Sequence, residues 1–350
     1  MKKDNLTLKA LKRYHGYNKR YFPLCFFQTL FRNLSFFFSL WMTAEIVNAL
    51  YGGREKGELY FLVGAALGGI LLIRCAGAVL DRQVSTELEI LENRQAEAFY
   101  RKTLGLDYDE IENPDIRRMR EKIEENKCIN DYGVNNMRTT VLILMNSLVN
   151  LTFSAFMFAE MLSAMVAVPF RWLSLALLAA MVGSMVGGTF FRFRGGRKSA
   201  GYWDKIGTFM LKENRMDQGF RMSDEGGMDN RIYRQQLIIN KLYREFNLEH
   251  REVFMEAHRK KFFLVEVPDA VFTWLTTGAS YLIVCLYCTL GAFPVGSVIR
   301  YVGYLGRMTG AVETFLDVFG RIRENEKFLG DYLNFFEIEN DMYEGSLAVE

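Results

Sequence analysis

The chain alternates six long apolar runs with charged stretches, and the charged stretches are by turns very long and very short. The runs are 24–50, 59–80, 141–164, 172–191, 263–290 and 298–319. Each is long enough to cross hydrocarbon as a helix, which takes about 20 mostly apolar residues. The connectors 51–58, 165–171 and 291–297 are tiny, whereas 81–140 and 192–262 are very long. The pattern predicts an all-α polytopic membrane protein with six spans, whose mass outside the bilayer lies on one side. A net charge of +2, 24% charged residues and a mean hydropathy of zero average over two unlike parts and conceal this.

Basic residues resist translocation, so their distribution orients the chain. Residues 1–20 hold seven Lys and Arg, the loop 81–140 ten, the loop 192–262 sixteen and the tail after Gly320 three; the three short connectors together hold Arg54, Lys56 and Arg171. Both long loops and both termini are therefore expected in the cytoplasm, in a multi-pass protein of the plasma or inner membrane. The first run is about twice the length of a signal-peptide core and ends in no small-residue cleavage site, so it reads as an uncleaved span. The near-neutral balance argues against nucleic acid as a partner, because neither long loop combines a strong basic excess with interleaved aromatics.

Residues 81–105 and 115–138 are rich in good helix formers, nearly free of Gly and Pro, and carry opposite charges at spacings of three and four. The second span is thus expected to continue to about Leu104, and the third to begin near Pro114. Some 25 further helical residues would project roughly 35–40 Å beyond the bilayer. Asn113-Pro114 suits a helix stop and restart, with a short crosswise turn before it. The second loop repeats the plan: one stalk to about Arg215, a polar bend at 223–227, and a return over about 232–261.

These features resemble the transmembrane domain of an ABC exporter of the bacterial half-transporter kind, over essentially the whole chain. The architecture comprises a basic amphipathic segment at 6–17, six spans, minimal outer loops and two intracellular hairpins. Leu104-Gly-Leu-Asp-Tyr-Asp-Glu-Ile-Glu-Asn-Pro114 is similar to the first coupling-helix region of such proteins. Gly227-Met-Asp-Asn-Arg-Ile-Tyr233 is similar to the Gly-Lys-Asp-Ile-Arg-Leu-Tyr run near the second, departing at Met228 and Asn230. Gly291-Ala-Phe-Pro-Val-Gly296 resembles the glycine-bracketed turn before the sixth span.

The resemblance implies an elbow helix at 1–22, a transmembrane domain at 23–330, and a linker at 331–350 toward a nucleotide-binding domain. It also implies coupling residues Asp107, Tyr108, Asp109 and Glu110 at one tip, and Gly227, Asp229, Arg231 and Tyr233 at the other. No Gly-x4-Gly-Lys-Ser/Thr phosphate loop occurs in these residues, so ATP and Mg would bind a partner or further domain, and this chain alone is not expected to hydrolyse ATP. A second six-span half, identical or different, is implied. A sensor or regulatory subunit on the same scaffold, or a secondary transporter, are the alternatives.

Charges inside spans are costly and mark sites or pairs. Arg32 and Arg74 fall toward the cytoplasmic side, where they line a cavity, snorkel or pair; Glu45 and Glu160 fall near the outer ends, where a solvated position is expected. In the sixth run, Gly303, Gly306, Gly310 and Asp317 share an arc with Glu313 beside it, and Arg300 and Arg307 share another face. Two readings stay open there: cavity lining, or ion pairs between helices. Gly64-x3-Gly68 and Gly183-x3-Gly187 read as helix-packing motifs. Cys285-x-x-Cys288 reads as apolar filler, and His250 and His258 as members of a charged helix face rather than a metal site. No catalytic, cofactor or metal residues are expected in this chain.

Overall fold

The computed structural model describes residues 6–128, 132–166, 171–217, 228 and 230–339. Among these, every element is a helix: α1 (Leu6–Tyr17), α2 (Tyr21–Tyr51), α3 (Lys56–Leu104), α4 (Tyr108–Glu112), α5 (Pro114–Cys128), α6 (Val134–Val166), α7 (Arg171–Asp217), α8 (Gln236–Lys261), a π-helical segment (Phe262–Glu266), α9 (Val267–Thr289) and α10 (Gly296–Glu337). Two compact units result, Met1–Trp172 with Ser280–Glu350, and Leu173–Ala279.

Among the described residues, four helical stretches are long and apolar enough to cross a membrane: Tyr21–Tyr51, Lys56–Leu104, Val134–Ser163 and Gln236–Thr289. Their outward faces are apolar. On α3, Tyr60, Phe61, Leu67, Leu71 and Leu72 are each more than 60% exposed, which water would penalise and lipid would not. The chain is an all-α membrane protein. The sixth apolar run lies in α10, where Arg300, Arg307 and Glu313 interrupt the hydropathy. The fourth lies in α7, part of whose side chains fall outside the described residues.

In the first unit, α1 is amphipathic at helical spacing. It buries Ala10 and Tyr14, one turn apart, and leaves Lys9 and Lys12 exposed. That face packs into a collar with Tyr21 and Cys25 of α2, Val84 and Leu91 of α3, Val134 and Met137 of α6, and Leu329, Tyr332 and Leu333 of α10. Each large side chain buried there contributes about 1.5–3 kcal/mol. A second cluster of Phe99, Leu106 and Phe335 fastens the end of α3 to the end of α10. Phe99 and Phe335 lie 4.8 Å apart between ring centroids, and Lys122 pairs with Asp331 at 3.2 Å.

The long second helix forms as expected. α3 is unbroken for 49 residues, about 73 Å at 1.5 Å per residue. It stops at Leu104, α4 makes the short turn, and Pro114 opens α5, with the Asn113 side chain accepting a hydrogen bond from the Asp115 amide at 3.0 Å.

The third helix departs from expectation. Instead of one rod from Pro114 there are two helices, α5 and α6. Gly133, just before α6, has φ +74°, which no α-helix accommodates. The Asn325 side chain of α10 holds that kink: the Gly133 amide donates to Asn325 Oδ1, and Asn325 Nδ2 donates to the Gly133 carbonyl, both at 2.7 Å. Tyr132 stacks on Phe328 beside it, with centroids 4.3 Å apart.

In the second unit, α7 meets α9 through small residues. A Cβ on Gly187 would stand 2.8 Å from the Phe272 ring, and one on Gly195 only 2.2 Å from the Leu264 carbonyl oxygen. The π-helical segment containing Leu264 precedes Pro268, whose ring would clash with that carbonyl in a regular helix. Arg192 reaches Asp269 Oδ1 from Nε at 3.1 Å and from its terminal nitrogen at 2.5 Å. Ser184 and Thr276 share a hydroxyl hydrogen bond at 2.7 Å.

The glycine motifs sort unevenly. Gly187 packs, but Gly64 and Gly68 meet nothing within 4 Å; the close approach on α3 is at Gly69, against Phe38. His250 is not on a solvated face: it lies parallel to Phe209 at 5.7 Å, is flanked by Phe246 and Phe254, and sits 4.0 Å from Glu213. The bend at 223–227 lies outside the described residues.

Candidate functional site

Within the apolar part of the first unit, polar side chains gather where α6 faces α2 and α10. Asn33 Nδ2 donates to Asn146 Oδ1 at 3.0 Å, and Asn150 Nδ2 donates to the same oxygen at 3.1 Å. Asn33 and Asn150 are buried. Further along, Arg300 on α10 bonds Glu160 at 2.9 Å and the Tyr301 hydroxyl at 3.0 Å. The Arg300 side chain is 10% exposed and that of Glu160 46%. Sequence placed Glu160 at a solvated edge, and it is exposed there, while the fold also makes it the counter-ion of a buried arginine. An uncompensated guanidinium there would be expensive, so the position is specified by α10 rather than by depth alone.

The other charges within the apolar runs are held differently. Arg32 reaches Asp81 at 3.4 Å on the exposed α2–α3 seam, where Gln28 also binds Asp81 at 2.6 Å. Arg74 is exposed on α3. Arg307 lies over the Phe36 ring at 3.9 Å. Glu313 and Asp317 are half-buried on α10. Gly306 and Gly310 are exposed, with nothing within 4 Å of where a Cβ would stand, whereas Gly303 is covered by Leu40. One edge of α10 is thus packed and another is open. The packed edge has no cavity: Met157, Phe158, Met161, Tyr301, Tyr304 and Leu305 close on one another without space for water.

The first tip carries Asp107, Tyr108, Asp109 and Glu110. Asp107 starts α4 with extended backbone, and its carbonyl accepts from the amides of Glu110 and Ile111 at 3.1 and 3.0 Å. Tyr108 is exposed, and its hydroxyl donates to Glu112 at 2.5 Å; that carboxylate raises the tyrosine pKa. Leu104 and Ile111 are also exposed, giving the tip an uncovered apolar edge bordered by acids. At the second tip, Arg231 and Tyr233 are exposed, while Gly227 and Asp229 lie outside the described residues. Met228, Ile232, Tyr233, Leu237 and Ile238 expose apolar surface there as well. Arg234 adopts φ +51°, turning the chain into α8.

Reading the sequence by its charges missed Asn33, Asn146, Asn150 and Asn325. The available signal was an uncharged amide inside or next to an apolar run, which must find a partner among helices. No group of His, Cys, Asp and Glu among the described residues is arranged to hold a metal. No protein-family model matches the chain, and no curated protein is detectably similar to it.

Proposed function

We propose that this chain is the membrane-spanning half of an ATP-driven exporter of the ABC type. It would pair with a second six-span half and be driven by nucleotide-binding domains that carry ATP and Mg. In this reading the helices containing 172–191 and 298–319 are the fourth and sixth spans. The loops 81–140 and 192–262, with both termini, face the cytoplasm, as their basic residues favour.

The observation that carries the reading is mechanical. An unbroken α3 connects the turn at 52–55 to α4, and the Phe99–Leu106–Phe335 cluster locks that tip to the end of α10. A push on α4 would therefore be delivered to α3 and α10 together, through the buried Leu106 that ties the link between α3 and α4 to Phe99 and Phe335. The exposed apolar edges at Tyr108 and at Tyr233 are surfaces on which a nucleotide-binding domain could press. The open Gly306–Gly310 edge of α10 supports a role at a pathway or at the second half. Transport would follow from alternating the two faces of the helix bundle, a population shift driven by nucleotide.

Photo-crosslinkers at positions 108 and 233 test this in native membranes. The reading expects both to capture a nucleotide-binding polypeptide, or a nucleotide-binding region continuous with this chain, whose ATPase rate changes in Tyr108→Ala. Capture of no nucleotide-binding species from either position would refute it. Labelling of a cysteine at position 108 from outside intact cells would also refute it.

A further inference from the structure

The junction of α1 with α2 lies beside α3 at the level where the first apolar run begins and the second ends, at Leu24 and Leu80. A cleft of about 790 Å³ opens there, a size typical of small-molecule sites. Lys19 and Arg20 approach it from the junction and Arg82 from α3, while Leu24, Phe27 and Val79 supply apolar wall. Phe27 and Val79 are 50% and 59% exposed.

The nearby acids are occupied elsewhere. Glu87, which borders the cleft, accepts Asn18 Nδ2 at 2.6 Å, and its backbone carbonyl accepts the same nitrogen at 3.0 Å. Asp81 is taken by Gln28 and Arg32. These two clasps fasten α3 to α2 and to the α1–α2 junction without using the three basic side chains. Lys19, Arg20 and Arg82 are exposed, and among the described residues none of them has an acidic partner. The cleft therefore has uncommitted positive charge against one engaged carboxylate.

We propose that this cleft binds the head group of an anionic phospholipid. A phosphodiester offers oxygens that accept from arginine and lysine, and its acyl chains would lie along Phe27 and Val79 toward the hydrocarbon. A soluble phosphate compound would leave that apolar wall in water, and a zwitterionic lipid would bring its own cation toward three others. The inference needs only the membrane character of the chain, so it stands or falls separately from the exporter reading. Bound lipid would brace the elbow α1 against α3.

The test uses the purified chain and native mass spectrometry with equimolar phosphatidylglycerol and phosphatidylcholine of matched acyl chains. Each basic residue near a membrane surface is worth roughly fivefold in anionic-lipid affinity, so a preference of about tenfold or more for phosphatidylglycerol is expected. K19Q/R20Q/R82Q should bring it within about twofold, by the same reckoning. K19R/R82K should retain it, as should R54Q/K56Q at the opposite ends of the same helices. Equal retention of both lipids by the wild type overturns the proposal, as does loss of preference in R54Q/K56Q. Displacement of the lipid by millimolar glycerol phosphate also overturns it in favour of a soluble ligand. The wild-type measurements decide even where the triple variant folds poorly.

Discussion

Replacing Asn325 by alanine should loosen the kink before α6, and the cost can be worked from its bonds. The Gly133 amide has Asn325 Oδ1 as its partner, so N325A leaves a buried N–H with none. Such a group costs about 1–3 kcal/mol. The Gly133 carbonyl loses Asn325 Nδ2 but keeps the Met137 amide at 3.1 Å, which is a loss of about 0.5–1.5 kcal/mol. Together the local opening free energy should fall by about 1.5–4.5 kcal/mol. At 1.4 kcal/mol per decade this accelerates opening by roughly tenfold to somewhat over a thousandfold. Hydrogen–deuterium exchange on peptides covering Gly133–Met137 reads that directly, with α3 near Leu91 as an internal standard. Exchange within about twofold of wild type at Gly133 would refute the claim that the side-chain amide holds the kink.

The remaining predictions concern packing, charge and pH. Gly195→Ala places a Cβ 2.2 Å from a backbone oxygen and should cost about 2–3 kcal/mol in detergent unfolding, since a backbone cannot swing aside, while Gly64→Ala should stay within about 0.5 kcal/mol. Glu160→Gln strands the buried Arg300 and should destabilise by about 1–2 kcal/mol, discounted for the half-exposed carboxylate; R300M in the same background should recover much of the melting temperature. Burial pushes the Tyr14 phenol up to about 12, against the opposing Arg138 charge, and raises Tyr332 as well. Because both folded-state values lie above the ordinary one, this stabilisation is intact below pH 10. It drains away above pH 10 by up to about 1.4 kcal/mol per pH unit per tyrosine. Tyrosinate absorbance against helical content across that range should show the collar opening, and Y14F should flatten the dependence.

Much of the helical plan is visible in the chain because it depends on neighbours in sequence. The run of helix formers after Leu80 continues α3 to Leu104, and Asn113-Pro114 ends one helix and starts another through local backbone chemistry. The spacing of Ala10 and Tyr14 marks α1 as an amphipathic helix with one buried face. The candidate sites were less accessible. The acidic tip at Asp107–Glu110 stands out as a turn between stalks, but its anchoring by Leu106 to Phe335 does not. A composition rich in helix formers hid the break at Gly133, because a lone glycine in a helical pattern is ordinarily tolerated.

By itself, the order of apolar and charged residues determined that the protein is helical, belongs in a membrane and has a second helix that runs on to Leu104, since hydropathy and helix propensity act over one or two turns. Only the tertiary structure decided that Glu160 neutralises Arg300, that Asn325 clamps Gly133 from 192 residues away, and that Gly195 meets the π-helical turn before Pro268. These depend on which helix faces which, and at what rotation. A polar group buried between helices is satisfied by whichever neighbour packing delivers, and local sequence carries no record of that neighbour.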